Sequence, residues 1–228
     1  MPKIGRFLFL IFLILGMIIA LFPNLDLEFS NMFYDAEEGF LYKRNIFVLA
    51  IYKSVPLIST LLTFGFLLYI ATKYFIFKKY NLVLQSRAIY LLIALALGPG
   101  LLVNGVLKEN FGRARPSQIN AFQGDKQFTA PIMISNQCDT NCSFSSGHAA
   151  SGYYFTAFSW VIPYWKNIIF LSGFVFGSLV GFGRILQGGH FLSDVVFSFI
   201  FIIISNEVSY RLWNYLKAKF KGKNAIRK

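Results

Sequence analysis

The sequence is poor in charged residues, and in acidic residues most of all, and it has few side chains that bind transition metals. Only 14% of its 228 residues are charged, whereas 56% are hydrophobic, and no hydrophilic block is large enough to form a soluble domain. There are two cysteines and two histidines, which are too few to suggest a zinc site in any one loop. The chain is therefore predicted to be a polytopic membrane protein.

Six apolar stretches approach the roughly 20 residues that a helix needs to cross a bilayer. We therefore predict an all-α fold in which residues 1–228 form a single domain, a bundle of six membrane helices. The first stretch follows two basic residues as a signal peptide does, but no small-residue cleavage site comes after it, so we interpret it as a retained helix. The predicted spans are 4–23, 54–74, 88–107, 147–165, 167–186 and 191–212.

Basic residues cluster in short flanks of the apolar stretches and account for much of the net charge of +12. This pattern is typical of cytoplasmic connections, and no basic and aromatic soluble module accompanies it, so nucleic-acid binding is excluded. With six crossings, the N-terminus, the 73–87 loop and a basic tail at 217–228 share the cytoplasmic side. The basic residues of the loop and tail are Lys73, Lys78, Lys79, Arg87, Lys217, Lys219, Lys221, Lys223, Arg227 and Lys228.

The outer side then receives residues 24–53, 108–146 and the short turn near 187–190. Most of the acidic residues lie in these segments, which agrees with the predicted orientation. Cys138 and Cys142 also fall there, in "QCDTNC", and on an oxidising side of a membrane such a close pair is predicted to form a disulfide. Two free thiols are the alternative.

A small set of ionisable residues falls at the outer ends of the predicted helices. His190 and Asp194 are four residues apart, so on a helix the carboxylate can accept a hydrogen bond from the imidazole and leave the other ring nitrogen as a nucleophile or base. A purely structural tie between the two side chains is the alternative. The whole set is Lys108, Arg113, Arg115, His148, Arg184, His190 and Asp194.

Two further stretches at the outer side favour anion binding. Ser146 and Gly147 precede His148 at the start of the fourth predicted helix, where a serine cap and free N–H groups form an anion site; an ordinary cap beside a surface histidine is the alternative. "KENFGRARP" places three cations on the side that normally has few. A bound anion explains them, although contact with lipid phosphates is an equal alternative for Arg113.

Together these stretches resemble the three-part signature of the type 2 phosphatidic acid phosphatase superfamily. K-x6-R-P runs from Lys108 to Pro116, S-G-H from Ser146 to His148, and R-x5-H-x3-D ends at Asp194. Order and spacing match, and the six-helix plan extends the resemblance to most of the chain. Ser145 stands where the family commonly has proline, and Gly183 where it commonly has serine.

The resemblance implies a phosphoric monoester hydrolase that needs no cofactor and no metal, and a single aspartate at the site cannot build a two-metal clamp. It implies that His190, oriented by Asp194, forms a phosphohistidine, and that His148 protonates the leaving oxygen and then activates water. The implied phosphate-binding residues are Lys108, Arg115, Ser146, Gly147 and Arg184, with Arg113 as a secondary candidate.

The loop "FQGDKQFTAPIMISNQCDTNCSF" is similar to a loop of lipid A phosphatases from Gram-negative bacteria. This implies removal of the 1- or 4′-phosphate of lipid A at the periplasmic face of the bacterial inner membrane, with both termini cytoplasmic and no obligate protein partner. Undecaprenyl pyrophosphate, phosphatidylglycerophosphate and phosphotransfer to another lipid are alternatives for the reaction. A transporter and a vanadium-dependent haloperoxidase are alternatives from other classes.

Overall fold

The computed structural model describes residues 1–78 and 86–226, with side chains as far as Lys219. The predicted basic residues Lys79, Arg227 and Lys228 lie outside these ranges, and so do the side chains of Lys221 and Lys223. The described helices are α1 (Lys3–Leu21), α2 (Asn24–Asn31), α3 (Ile46–Ala71), α4 (Arg87–Leu95), α5 (Lys108–Asn110), α6 (Gly147–Tyr153), α7 (Phe158–Val161), α8 (Lys166–Leu186) and α9 (Leu192–Ile226). Two short strands, β1 (Tyr34–Asp35) and β2 (Gly39–Phe40), pair antiparallel.

Within the described residues, five helical stretches are long and apolar enough to cross a membrane. They are Lys3–Leu21, Ile46–Ile76, Arg87–Asn110, Lys166–Leu186 and Leu192–Lys219. They correspond to five of the six predicted spans. The predicted 147–165 segment is a composite of α6, a 3₁₀ turn at Tyr154–Ala157 and α7. It contains only about 15 helical residues, because Pro163 and the turn ahead of α8 end it early.

The second span begins earlier than predicted, at Ile46, because Asn45 caps α3. Its side chain accepts hydrogen bonds from the backbone N–H groups of Phe47 and Val48, at 3.0 and 3.3 Å. The stretch "NIFVLAIYKSVP" is thus the first part of one continuous helix. Pro56 lies inside it.

The Gly98-Pro99-Gly100 sequence changes the form of the third span. A π-helical stretch at Ala96–Leu107 joins α4 to α5, as inserted prolines in membrane helices often require. The Asn104 side chain, on the same stretch, donates to the carbonyl of Pro99 at 2.7 Å. The carbonyl is therefore satisfied within its own span and not by a neighbouring helix.

α9 lies at the centre of the bundle and packs against α1, α4, α6 and α8. Its Phe199 ring contacts Phe12, Tyr153 and Phe174, with centroid separations of 4.7, 5.1 and 5.2 Å. A Cβ on Gly152 would lie 2.7 Å from the Cα of Gly177, so only glycine lets α6 and α8 approach this closely.

The long loop and the hairpin cover one end of the bundle, where α8 ends and α9 begins; we call this the site end. Phe40 of β2, Ile119 and Phe122 of the loop and Phe191 ahead of α9 form a small buried cluster there. Ser117 also donates its backbone N–H to the carbonyl of Gly188 at 3.0 Å. This cover removes the start of α9 from solvent and leaves its first residues buried.

Candidate active site

The three motifs of the sequence meet at the site end because four chain segments terminate there. α5 carries Lys108, α6 begins at Gly147, α8 carries Arg184 in its last turn and α9 begins at Leu192. The backbone N–H of Ser146 donates to the carbonyl of Asp194 at 3.2 Å, which joins the start of α6 directly to α9.

His190 and Asp194 lie side by side and are almost completely buried. The Nδ1 atom of His190 is 3.5 Å from Oδ2 of Asp194, beyond the usual hydrogen-bond distance, and it has no hydrogen-bond partner among the described residues. His190 lies ahead of α9 and not on it, so the helical spacing that suggested the pair does not itself create it. The backbone N–H of Phe191 donates to the same Oδ2 at 2.8 Å, and this bond folds the chain so that the two side chains meet.

Asp194 accepts further hydrogen bonds that fix its orientation. Oδ1 accepts from Nη1 of Arg113 at 2.7 Å, and Oδ2 accepts from the hydroxyl of Ser143 at 2.6 Å. A carboxylate with this many donors is held in the ionised form. It is therefore suited to orient an imidazole and to stabilise positive charge on it.

The imidazole of His190 is held in its neutral form. Burial lowers the pKa of His190 to about 3, although Asp194 opposes the shift; the positive charges of Arg184 and Lys108 lower it further. A neutral ring with Nδ1 toward Asp194 presents Nε2 as a nucleophile.

His148 and Arg184 both contact the ring of Tyr52. The rings of Tyr52 and His148 stack with centroids 4.3 Å apart, and the guanidinium carbon of Arg184 lies 4.6 Å from the Tyr52 centroid. Ser146, the cap of α6, accepts from the N–H of Ala149 at 3.4 Å. A Cβ on Gly147 would lie 3.4 Å from Cε of Lys108, so the first turn of α6 lies beside this cation.

Three cations converge near these histidines. Nζ of Lys108 donates to the Asn141 side chain and Nη2 of Arg115 donates to the Asn141 carbonyl, both at 2.7 Å. Arg184 donates to the side-chain oxygen of Gln187, and its charge is close enough to act on both Lys108 and Arg115. Among residues 1–78 and 86–219, no carboxylate forms an ion pair with any of the three.

Arg113 lies behind Asp194 and away from this cluster. Its guanidinium bonds Asp194, Asp26 and Ser193 and is fully buried. It therefore makes no lipid-phosphate contact, which was one of the two interpretations that the sequence allowed. Both terminal nitrogens of its guanidinium therefore bond protein side chains.

Sequence reasoning missed four residues at or behind the site, namely Asp26, Tyr52, Asn141 and Ser143. None of them lies within the three motifs, and each contacts a motif residue that is distant along the chain. The one available signal was Asp26, a carboxylate in a chain with only 10 acidic residues.

Cys138 and Cys142 form a disulfide in the long loop, with their Cα atoms 5.6 Å apart. The bond closes a small ring that contains Asn141.

Side chains that could bind a metal ion do not cluster in the described residues. Within the described part of the chain, no group of three or more His, Cys, Asp or Glu side chains is placed to hold a metal ion.

Comparison with known proteins identifies the family of the chain. Residues 87–218 match the model of the PAP2 superfamily. The chain is 36% identical over 218 residues to a lipid A 4′-phosphatase of Francisella tularensis subsp. novicida (strain U112), covering 88% of this chain and 95% of the relative. It is 32% identical over 193 residues to a lipid A 4′-phosphatase of Rhizobium leguminosarum, covering 78% and 83%. No solved structure matches the chain significantly. The chain therefore belongs to the PAP2 superfamily.

Proposed function

We propose that this phosphoric monoester hydrolase removes the 4′-phosphate of lipid A through a phosphohistidine intermediate, without a metal ion. The observation that carries the proposal is the group of three cations, unpaired with any described carboxylate, beside a buried neutral His190. Such a group attracts an anion with several oxygens, which a phosphate monoester is. The names of the relatives in Francisella and Rhizobium support the choice of the lipid and of the phosphate.

In the first step, Nε2 of His190 attacks phosphorus in line and the bond from phosphorus to the sugar oxygen breaks. His148 gives its proton to that oxygen, so the sugar leaves as an alcohol. Asp194 stabilises the positive charge on the His190 ring. In the second step, His148 takes a proton from water, the water oxygen attacks phosphorus, and the phosphorus–nitrogen bond breaks to release inorganic phosphate.

The charge of the phosphoryl oxygens is neutralised by Lys108, Arg115 and Arg184. Ser146 and the backbone N–H of Gly147 add hydrogen bonds from the start of α6. The position of Lys108 and Arg115 on one shared partner, Asn141, supports their joint role, because both are held before substrate arrives.

We further propose that the bundle crosses the inner membrane six times, with the site end at the periplasmic face and both termini in the cytoplasm. The composite segment from Ser146 to Trp160 extends along α9, because Ser146 bonds Asp194 and Nε1 of Trp160 donates to Glu207 at 3.0 Å. These α9 residues are about 20 Å apart along a helix, a large part of a hydrocarbon core about 30 Å thick. The basic flanks favour the same orientation.

The lipid is tested by incubating purified protein with lipid A, undecaprenyl pyrophosphate and phosphatidylglycerophosphate and analysing products by mass spectrometry. Loss of the 4′-phosphate from lipid A, with release of inorganic phosphate, is the expected result. If only another lipid lost phosphate, that lipid would be the substrate instead of lipid A. Transfer of the phosphate to a second lipid would make the chain a phosphotransferase. Absence of any phosphate release would favour the alternative that the chain is a transporter.

The mechanism is tested on the same preparation with a chelator, vanadate and two variants. We expect activity to survive EDTA and vanadate to inhibit, since vanadate mimics five-coordinate phosphorus. His190→Ala and Asp194→Asn should lose at least about 1,000-fold in kcat, as nucleophile and orienting residues do in other enzymes. Loss of activity with EDTA that returns on adding a metal would contradict the mechanism, as would near-normal turnover of His190→Ala.

A further inference from the structure

Asp26 is a fully buried carboxylate that none of the proposed chemical steps uses. It lies on α2, in the segment between the first two spans, far ahead of the matched residues 87–218. A buried ionisable group near a membrane bundle is costly unless it is paired and hydrogen-bonded. A carboxylate buried at the site end therefore needs partners that offset this cost.

Every group that faces the Asp26 carboxyl is a donor. Oδ1 accepts from the backbone N–H of Ser193 at 2.8 Å, and Oδ2 accepts from Nη2 of Arg113 at 2.8 Å and from the Ser193 hydroxyl. Burial raises the pKa of Asp26, the charge of Arg113 opposes that rise, and the charge of Asp194 adds to it. With three hydrogen-bond donors on its two oxygens, the carboxyl fits its ionised form.

Arg113 connects Asp26 to the catalytic pair. One guanidinium bonds both carboxylates, with Nη1 on Asp194 at 2.7 Å and Nη2 on Asp26 at 2.8 Å. Nε donates to the carbonyl of Thr129 at 2.9 Å, and the Phe191 ring lies 4.2 Å from the guanidinium carbon. The arginine is thus fixed on every side, and the orientation of Asp194 follows from it.

Asp26 also bonds the first turn of α9. Ser193 is the second residue of α9, and its N–H is one of the groups that a helix start leaves without an intrahelical partner. Asp26 satisfies this N–H from a position 167 residues earlier in the chain. A carboxylate at a helix N-terminus is stabilising, and Asp194 is the next residue.

We propose that Asp26 is a positioning residue for the phosphatase reaction, which acts through Arg113 and Ser193 to hold Asp194 in the orientation that aligns His190. The inference rests on the proposed function, because it takes His190 as the nucleophile. It makes the N-terminal α2 segment part of the catalytic apparatus, although the three motifs all lie C-terminal to it.

The test is Asp26→Asn in the full-length, detergent-solubilised protein. An amide keeps the size of the side chain but places an NH₂ group against donors. We expect kcat to fall between about 10- and 100-fold, since misplacement of a reacting group by about 1 Å costs this much, while KM changes less than about threefold. The matched control is Asp35→Asn, an exposed carboxylate of the same segment that bonds only the N–H groups of Glu37 and Glu38; it should match the wild type.

Two inhibitors separate positioning from stability. Inorganic phosphate requires only the cations, whereas vanadate also requires an aligned His190. Asp26→Asn should therefore raise the inhibition constant of vanadate by about the same factor as it lowers kcat. The inhibition constant of inorganic phosphate should stay nearly unchanged. A loss of active protein with both inhibition constants unchanged would show a purely structural role and overturn the inference.

Two more variants keep the inference falsifiable if Asp26→Asn folds poorly. Ser193→Ala removes one hydroxyl of the network. It should lower kcat by a smaller factor than Asp26→Asn does, again with little change in KM. In a double-mutant cycle, adding Asp26→Asn to Arg113→Gln should cost less than about threefold more, because the two residues act in series; multiplied losses would contradict this.

The same preparations distinguish failure of the inference from failure of the proposed function. If Asp26→Asn behaves as the wild type while His190→Ala and Asp194→Asn are inactive, only the role of Asp26 is overturned. If His190→Ala is active, the nucleophile is wrong and the proposed function falls with it.

Discussion

Tyr52 and His148 stack face to face, with ring centroids 4.3 Å apart and 23° between their planes. The other partner of the Tyr52 ring is the guanidinium of Arg184, 4.6 Å from the centroid. One aromatic ring on α3 thus holds the proposed general acid and a phosphate-binding cation together. α3 lies outside the three sequence motifs, yet it fixes the geometry between two of them.

Replacing Tyr52 should therefore impair the reaction through loss of the ring and not of the hydroxyl. Stacking and the cation–π contact together contribute about 1–2 kcal/mol, so Tyr52→Leu should lower kcat/KM by roughly 5- to 30-fold. Tyr52→Phe should remain close to the wild type. Steady-state kinetics on the lipid substrate measures both, with the exposed Tyr69→Leu on the same helix as the control. Equal losses in the Leu and Phe variants would instead assign the effect to the hydroxyl.

The sequence was sufficient to predict what depends on local composition and spacing. Apolar length predicted five helices that the structure contains, and the positions of the basic residues predicted that the motifs meet at one end. It was not sufficient for contacts between distant segments. The hydrogen bond from Ser193 to Asp26 joins residues 167 positions apart, and no periodic pattern in either segment predicts it. The position of His190 beside Asp194 could not be predicted correctly for a similar reason, because it depends on a backbone turn and not on helical spacing.

Asn141 should control substrate affinity more than turnover. It lies in the disulfide ring and holds both Lys108 and Arg115, and its φ of 51° is a conformation that glycine adopts freely. Asn141→Gly keeps this backbone and removes the hydrogen bond to Lys108. We expect KM to rise by about three- to tenfold, as loss of a hydrogen bond with a net contribution of about 1 kcal/mol would produce, with kcat nearly unchanged.

The control for Asn141 is Asn136→Gly, an exposed residue of the same loop whose side chain bonds only Gln137. Its kinetic constants should match those of the wild type. A lower KM in Asn141→Gly would mean that Asn141 competes with phosphate for Lys108 instead of positioning it.

The buried His190 should make the protein less stable in acid. Burial lowers its pKa to about 3 in the folded protein, whereas an unfolded chain has a value near 6.5. Below pH 6.5 the unfolded state therefore binds the proton and the folded state does not, so the free energy of unfolding decreases as the pH falls towards 3, by up to about 1.4 kcal/mol per pH unit. Above pH 6.5 this contribution is constant.

The measurement compares wild type with His190→Gln by thermal unfolding in detergent from pH 7 to pH 4. Both proteins share every other titrating group, including Asp26, whose raised pKa acts with the opposite sign. The difference between the two curves isolates His190, and His190→Gln should lose less stability in acid. Parallel curves would mean that His190 takes up its proton over the same pH range in the folded and unfolded states, so that burial does not lower its pKa.

Two glycines of the third motif should respond differently to the same substitution. A Cβ on Gly189 would lie 2.2 Å from Nη2 of Arg184, whereas a Cβ on Gly183 would meet only Val48, at the ordinary contact distance of 3.5 Å. Gly189→Ala should therefore displace the Arg184 guanidinium from the phosphate site and raise KM at least about tenfold, in line with loss of a charge-assisted contact. Gly183→Ala should stay within about twofold of the wild type, because the residue that departs from the usual serine has room for a side chain.

Michaelis constants and the inhibition constant of inorganic phosphate test the pair. If Gly189→Ala bound phosphate normally, Arg184 would have a second orientation that still reaches the anion, and the steric role of Gly189 would be excluded.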